Sequence, residues 1–182
     1  MSVVQLPISI QLGFMTIFQE NNTTLGGYLV TNSWGRPIEF RMSSGVQPNR
    51  MHQILYANTL QEYLHADLIG KALLDKSSSA VHLLFTDSLG TLSLRSRVNF
   101  PVVAIWDAGD NRGQEFDRVT YKHLSTPGFN QTMVMDPGFA EEEDTVLAIL
   151  QRLDKAFDLT EPFQRIREAM GEARKMGVAN RA

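Results

Sequence analysis

At 182 residues the chain has room for one domain with a substantial core, and 43% hydrophobic with 20% charged residues is a globular balance, not that of a disordered segment. With no cysteine, a disulfide frame, a thiolate metal site and a cysteine nucleophile are all excluded. A formal net charge of -3 gives no general attraction for phosphate backbones, and no stretch approaches the roughly 20 apolar residues of a membrane span.

From Val4 to Phe14 apolar residues fall at every second position, which predicts a strand with one buried face. Pro7 lies on the other face and marks a sheet edge or a bend. The opening residues carry neither the basic region nor the long apolar region of a secretory signal, so a soluble, cytoplasmic protein is expected. After the polar run Glu20–Thr24, Gly26-Gly27 opens a hairpin whose turn, Asn32-Ser33-Trp34-Gly35, supplies residues suited to left-handed backbone.

The sequence pattern of that hairpin occurs a second time. Leu29-Val30-Thr31-Asn32-Ser33-Trp34-Gly35, running on to Phe40-Arg41, matches Leu84-Phe85-Thr86-Asp87-Ser88-Leu89-Gly90, running on to Leu94-Arg95. Between the copies Asn49 is placed to cap a short helix, and Thr59-Leu60-Gln61-Glu62 has the form of a capping box. Leu60, Tyr63, Leu64, Leu68 and Ala72 then follow helical spacing. A strand is expected over Pro101–Trp106, and an irregular segment over 107–138, with a further strand within Phe116–Leu124.

Beyond it, acidic residues at Glu141–Asp144 suit a helix N-terminus, and Val146, Ile149, Leu150, Leu153 and Phe157 form an apolar stripe. Thr160 and Pro162 begin a second helix with Phe163, Ile166 and Met170 on its apolar face and Gly177 as its stop. The fold class expected is α+β: a single antiparallel sheet, a central helix between two repeated hairpins, and two C-terminal helices. The division expected is a sheet domain over 1–138, a helical pair over 139–177 and a tail over 178–182.

In this order of elements the chain resembles the Roadblock and longin modules. The hairpin Tyr28-Leu29-Val30-Thr31 to Gly35-Arg36-Pro37-Ile38 is similar to the one before their central helix, and the resemblance covers about residues 26 to 106. It implies a small dimerising or partner-docking domain associated with GTPases and with trafficking or motility machinery. Such modules work through surfaces, so no catalytic residue is carried over.

Carboxylates gather where a predicted strand meets the irregular segment, at Asp107, Asp110, Glu115 and Asp117, with Asp87 joining them from the preceding hairpin. They could hold Mg²⁺ or Ca²⁺ as a hydrolase or nuclease would, although Asp107–Gly113 misses EF-hand spacing and turn formation is the preferred account. Of the four histidines, His52, His65, His82 and His123, no two share a helix face at ligand spacing; His123 is the one placed to act with an acid as a general base. Arg41, Arg95 and Arg97, with Arg36 and Arg50 as further members, are candidates for an anion-binding face. No phosphate loop or nucleophile elbow is present. The main expectation is therefore a non-catalytic interaction or regulatory subunit of a larger complex, without cofactor. It would meet a protein partner or a second copy through its long N-terminal strand and the stripe Phe163, Ile166 and Met170. The alternatives are a metal-dependent hydrolase or nuclease on the acidic cluster, and nucleic-acid or nucleotide contact through the arginines.

Overall fold

Leu12 and Phe14 point to one side of the first strand while Met15 and Ile17 point to the other, and all four are buried. A strand covered on both faces belongs in the middle of a sheet. The computed structural model describes residues 5–110 and 121–179. It places β1 (Gln11–Glu20) between β2 (Thr23–Asn32), which runs antiparallel to it, and β4 (Leu83–Thr86), which runs parallel. The predicted strand thus begins later and ends later than the alternation from Val4 suggests, and it is a central strand, not an edge.

The chain is an α+β protein built on a single sheet. Among the described residues it has seven strands in the order β3-β2-β1-β4-β5-β7-β6, with β3 spanning Pro37–Met42, β5 Val102–Asp107, β6 Lys122–His123 and β7 Gln131–Met135. The sheet is mixed, because β1, β4 and β5 are mutually parallel. That corrects the wholly antiparallel expectation, and β6 and β7 fall within a stretch read as largely irregular.

The first hairpin forms as expected. Gly35 has φ of 81°, and the Asn32 side chain accepts bonds from the backbone N–H of Trp34 and of Arg36, both at 3.0 Å. The second copy forms no hairpin. Gly90 is not among the positive-φ glycines, and Leu89–Arg97 winds into a 3-10 helix that carries the chain across from β4 to the parallel β5.

Asn49 caps α1 (Arg50–Tyr56), accepting from the His52 backbone N–H at 2.9 Å. The capping box at Thr59 does not form, since its hydroxyl donates back to the Tyr56 carbonyl at 2.6 Å. From α2 (Leu60–Glu62) the helix continues through a π-helical stretch, Tyr63–Gly70, into α3 (Lys71–Asp75). The wider turns shift its phase, so the buried face is Leu64, His65, Ala66, Ile69 and Leu73, whereas Leu68 and Ala72 are exposed.

This helix covers one face of the sheet over Met15, Ile17, Tyr28, Val30 and Leu84. The opposite face is covered by α4 (Glu143–Gln151) and α5 (Glu161–Ala179), which pack Val146, Ile149, Phe163, Ile166 and Met170 onto Phe14, Leu29 and Phe85. Helix α5 runs through Gly177 without stopping there. Phe163, Ile166 and Met170 are at most 3% exposed, so the stripe expected to dock a partner is part of the chain's own core.

Glu39 fastens the outer strand β3 to the loop after α3. Its carboxylate accepts from Arg41 Nε at 2.7 Å, from the Ser77 hydroxyl at 3.1 Å and from the Ser79 backbone N–H at 2.9 Å. Burial alone would raise its pKa, but these bonds outweigh that and hold it at about 2. Glu39→Ala is expected to cost about 2–3 kcal/mol, because several charge-assisted bonds are lost around a side chain only 9% exposed. Urea unfolding at neutral pH checks this.

Candidate functional site

The carboxyl ends of the parallel strands are where an open sheet with helical layers leaves room for a ligand. A cavity of about 630 Å³ lies there in this chain. The helix after α1 supplies Asn58, Gln61, Glu62 and His65, the end of β4 supplies Asp87 and Ser88, and the 3-10 crossover supplies Leu89, Gly90, Leu92 and Ser93. Ile17, Trp106, Tyr121, Asp136 and Pro137 complete the wall.

His65 and Ser88 are its best-buried polar pair, each 8% exposed. The His65 Nδ1 lies 2.5 Å from the Ser88 hydroxyl. Burial lowers the imidazole pKa to about 4, so the ring is neutral at pH 7 and Nδ1 can accept the Ser88 proton when the other ring nitrogen carries hydrogen. Ser88 is itself held by its backbone N–H, which donates to the Thr86 hydroxyl at 3.1 Å. Gly90 leaves the imidazole its space, because a Cβ there would sit 3.1 Å from Nδ1.

Asp87 stands at the rim. Its Oδ2 accepts from the Thr16 hydroxyl of β1 at 3.1 Å and from Arg167 Nη2 of α5 at 2.6 Å. Across the cavity, burial and then the negative charges of Glu62 and Asp136 raise the pKa of the Tyr121 hydroxyl. Asp136 is fixed by accepting from the Gly138 backbone N–H at 2.8 Å.

Of the described members of the acidic cluster expected from sequence, Asp87 alone lies at this cavity. Trp106 faces the cavity, so the next residue, Asp107, turns to the other face, where the Thr160 hydroxyl donates to it at 3.4 Å. Asp110 donates its backbone N–H to the Asp107 carbonyl at 2.9 Å in a turn. His123 is exposed on the edge strand β6 and does not line the cavity, while Glu115 and Asp117 lie outside the described residues. Among the described residues no three His, Asp or Glu side chains gather so as to hold a metal ion. With Asp87 also engaged by a guanidinium, the described donors do not fit a divalent cation in this arrangement.

The arginines do not form one face either. Arg41 pairs with Glu39, Arg95 with Glu142 and Arg97 with Asp67, and Arg95 also lies over the Phe139 ring at 4.3 Å. Sequence reasoning missed His65 and Ser88 as a pair; the usable signal was His65, Ile69 and Leu73 recurring every fourth residue along one helix face.

No family model and no curated protein matches this sequence. Solved structures do match its fold. Endonuclease V from Streptomyces avermitilis superposes with a TM-score of 0.52 at 11% identity, covering 90% of this chain and 82% of that one. Endonuclease V from Bacillus subtilis gives 0.51 at 10% identity, covering 94% of this chain and 83% of that one. The reading of the chain as a non-catalytic adaptor or complex subunit is corrected by this likeness, for the architecture is shared with enzymes named as endonucleases. Among the described residues no helix is long and apolar enough to cross a membrane.

Proposed function

We propose that this chain is a hydrolase that cleaves nucleic-acid phosphodiesters at the cavity beside Ser88. The observation that carries the reading is the convergence, at the carboxyl ends of β4 and β5, of a neutral buried histidine with the carboxylates of Glu62, Asp87 and Asp136. The likeness in fold to two Endonuclease V enzymes supports nucleic acid as the substrate class. Hydrolysis needs a group to take a proton from the attacking oxygen and another to protonate the departing one. His65, uncharged, positions the Ser88 hydroxyl by accepting its hydrogen bond, and the carboxylates of Glu62 and Asp136 around Tyr121 supply the proton-handling groups. Arg167, part-exposed beside Asp87, brings positive charge to the rim where a phosphate would approach.

The test is cleavage of end-labelled single- and double-stranded DNA and RNA, with chelator and with added Mg²⁺ or Mn²⁺. Cleavage is expected, with His65→Gln reducing its rate by about 10²-fold or more at unchanged folding. No cleavage of any substrate, or cleavage indifferent to His65→Gln, Glu62→Gln and Asp87→Asn alike, overturns the reading.

A further inference from the structure

Ser88 occupies the turn where the chain passes from β4 into the 3-10 helix Leu89–Arg97, at the wall of the cavity. Its backbone is pinned on both sides: the N–H donates to the Thr86 hydroxyl, and the carbonyl accepts from the Thr91 backbone N–H at 3.1 Å. A serine at this N-cap position ordinarily turns its hydroxyl onto the first N–H groups of the helix. Here the hydroxyl makes no capping bond and goes to His65 Nδ1 instead.

That diversion decides what the oxygen presents to a ligand. A hydroxyl carries one hydrogen and two lone pairs, and the neutral imidazole takes the hydrogen. The lone pairs are left. A phosphodiester has no hydrogen to offer them, since its own free oxygens are acceptors, so its phosphorus is the atom they can engage. The first N–H groups of the helix, uncapped by this side chain, follow Ser88 directly in the chain and suit the charge on the phosphate oxygens.

We propose that Ser88 is the nucleophile of this site and is joined covalently to the nucleic acid until water releases it, a step that rests on the phosphodiester-cleaving reading above. The bond from Ser88 Oγ to phosphorus forms as the bond from phosphorus to the departing nucleotide oxygen breaks. The hydroxyl proton passes to His65 Nδ1. The departing oxygen takes the proton of Tyr121 across the cavity, whose hydroxyl is kept protonated by burial and by the charges of Glu62 and Asp136. Water then attacks phosphorus and restores the Tyr121 proton, while Ser88 departs with the proton held on His65. Burial disfavours the imidazolium in the free protein, and the bound phosphate sets an opposite charge beside it as it forms.

Diisopropyl fluorophosphate, which phosphorylates a nucleophilic serine with loss of fluoride, reads this chemistry without nucleic acid. Mass spectrometry of the treated parent is expected to place an adduct on Ser88, forming about 10²-fold more slowly in His65→Gln. Acid-quenched reactions with end-labelled DNA or RNA should leave label on the protein. Ser88→Ala, its circular dichroism spectrum retained, should cleave about 10²-fold more slowly and take up no label. An adduct on Ser88 without cleavage of any nucleic acid upholds the nucleophile and overturns the phosphodiester reading. Cleavage at the parent rate in Ser88→Ala overturns the nucleophile and leaves that reading standing. Absence of an adduct on Ser88 in the parent, a result independent of how any variant folds, also overturns the nucleophile.

Discussion

Replacing Gly27 with valine is expected to remove at least about 3 kcal/mol of stability, a large share of the 5–15 kcal/mol that holds a domain of this size together. Gly27 lies on β2 opposite Thr16, directly beneath α5. A Cβ added there would come within 2.2 Å of Ile166 Cγ2 and 2.6 Å of Met170 Sδ. Those side chains are 1% and 0% exposed and have nowhere to retreat without lifting the helix. Overpacking alone costs about 1–3 kcal/mol, and displacement of α5 adds lost burial around Phe163.

Gly27→Ala should be milder, because a methionine side chain adapts. Gly171, whose Cβ would meet nothing within 4 Å, provides the control: Gly171→Ala should be neutral or stabilising by up to about 1 kcal/mol. Urea midpoints decide the matter, and a Gly27→Val variant as stable as its parent would mean that α5 does not lie on β2 as described.

The second large effect is a loss of stability on mild acidification, centred on His65. An unfolded histidine titrates near 6.5, whereas burial holds this one at about 4. Between those values the unfolded chain binds a proton that the folded chain refuses, so stability rises with pH across the window and is complete above it. The difference corresponds to about 3 kcal/mol lost between pH 6.5 and 4. Glu39 acts in the same direction but lower, its contribution disappearing as pH falls from 4.5 toward 2. Urea midpoints at pH 7 and pH 4.5 should therefore diverge strongly in the parent and much less in His65→Gln. Equal divergence in both would remove His65 as the cause.

Local chemistry was the legible part of this fold. Asn32 and Gly35 announce their turn, Asn49 caps α1, and the apolar spacing around Phe163 marks α5. What sequence period does not carry is the direction of the strands. Leu83–Thr86 and Val102–Trp106 are buried on both faces and read as plain apolar runs, so nothing in them distinguishes parallel from antiparallel neighbours. The repeated motif misled because Asp87-Ser88-Leu89-Gly90 shares turn-forming residues with the first copy while its glycine does not take the left-handed conformation.

The site was legible to the extent of one residue. Asp87 groups with the acids as a turn residue of a second hairpin and in fact follows the end of β4, whereas Asp107 is carried to the opposite face by the two-residue alternation of β5. Glu62 and Asp136 come from a helix and from the end of a strand absent from the sequence reading, and only folding brings them near Tyr121. His65 was hidden by the π-helical stretch, which moves the buried face away from the 3.6-residue extrapolation.

The place of β1 in the sheet also sets a timetable for synthesis. Leu12 finds its antiparallel neighbour, Thr31, within the same hairpin, but its parallel neighbour, Leu83, is made 71 residues later. At about 5–20 residues per second a ribosome needs roughly 4 to 14 s to cover that distance. Throughout that interval the emerging chain holds the β1–β2 hairpin with one apolar flank uncovered, a template for any other extended chain nearby. Completion of the sheet waits on the arrival of β4, so the edge of β1 that the finished protein covers is the last side of that strand to be paired.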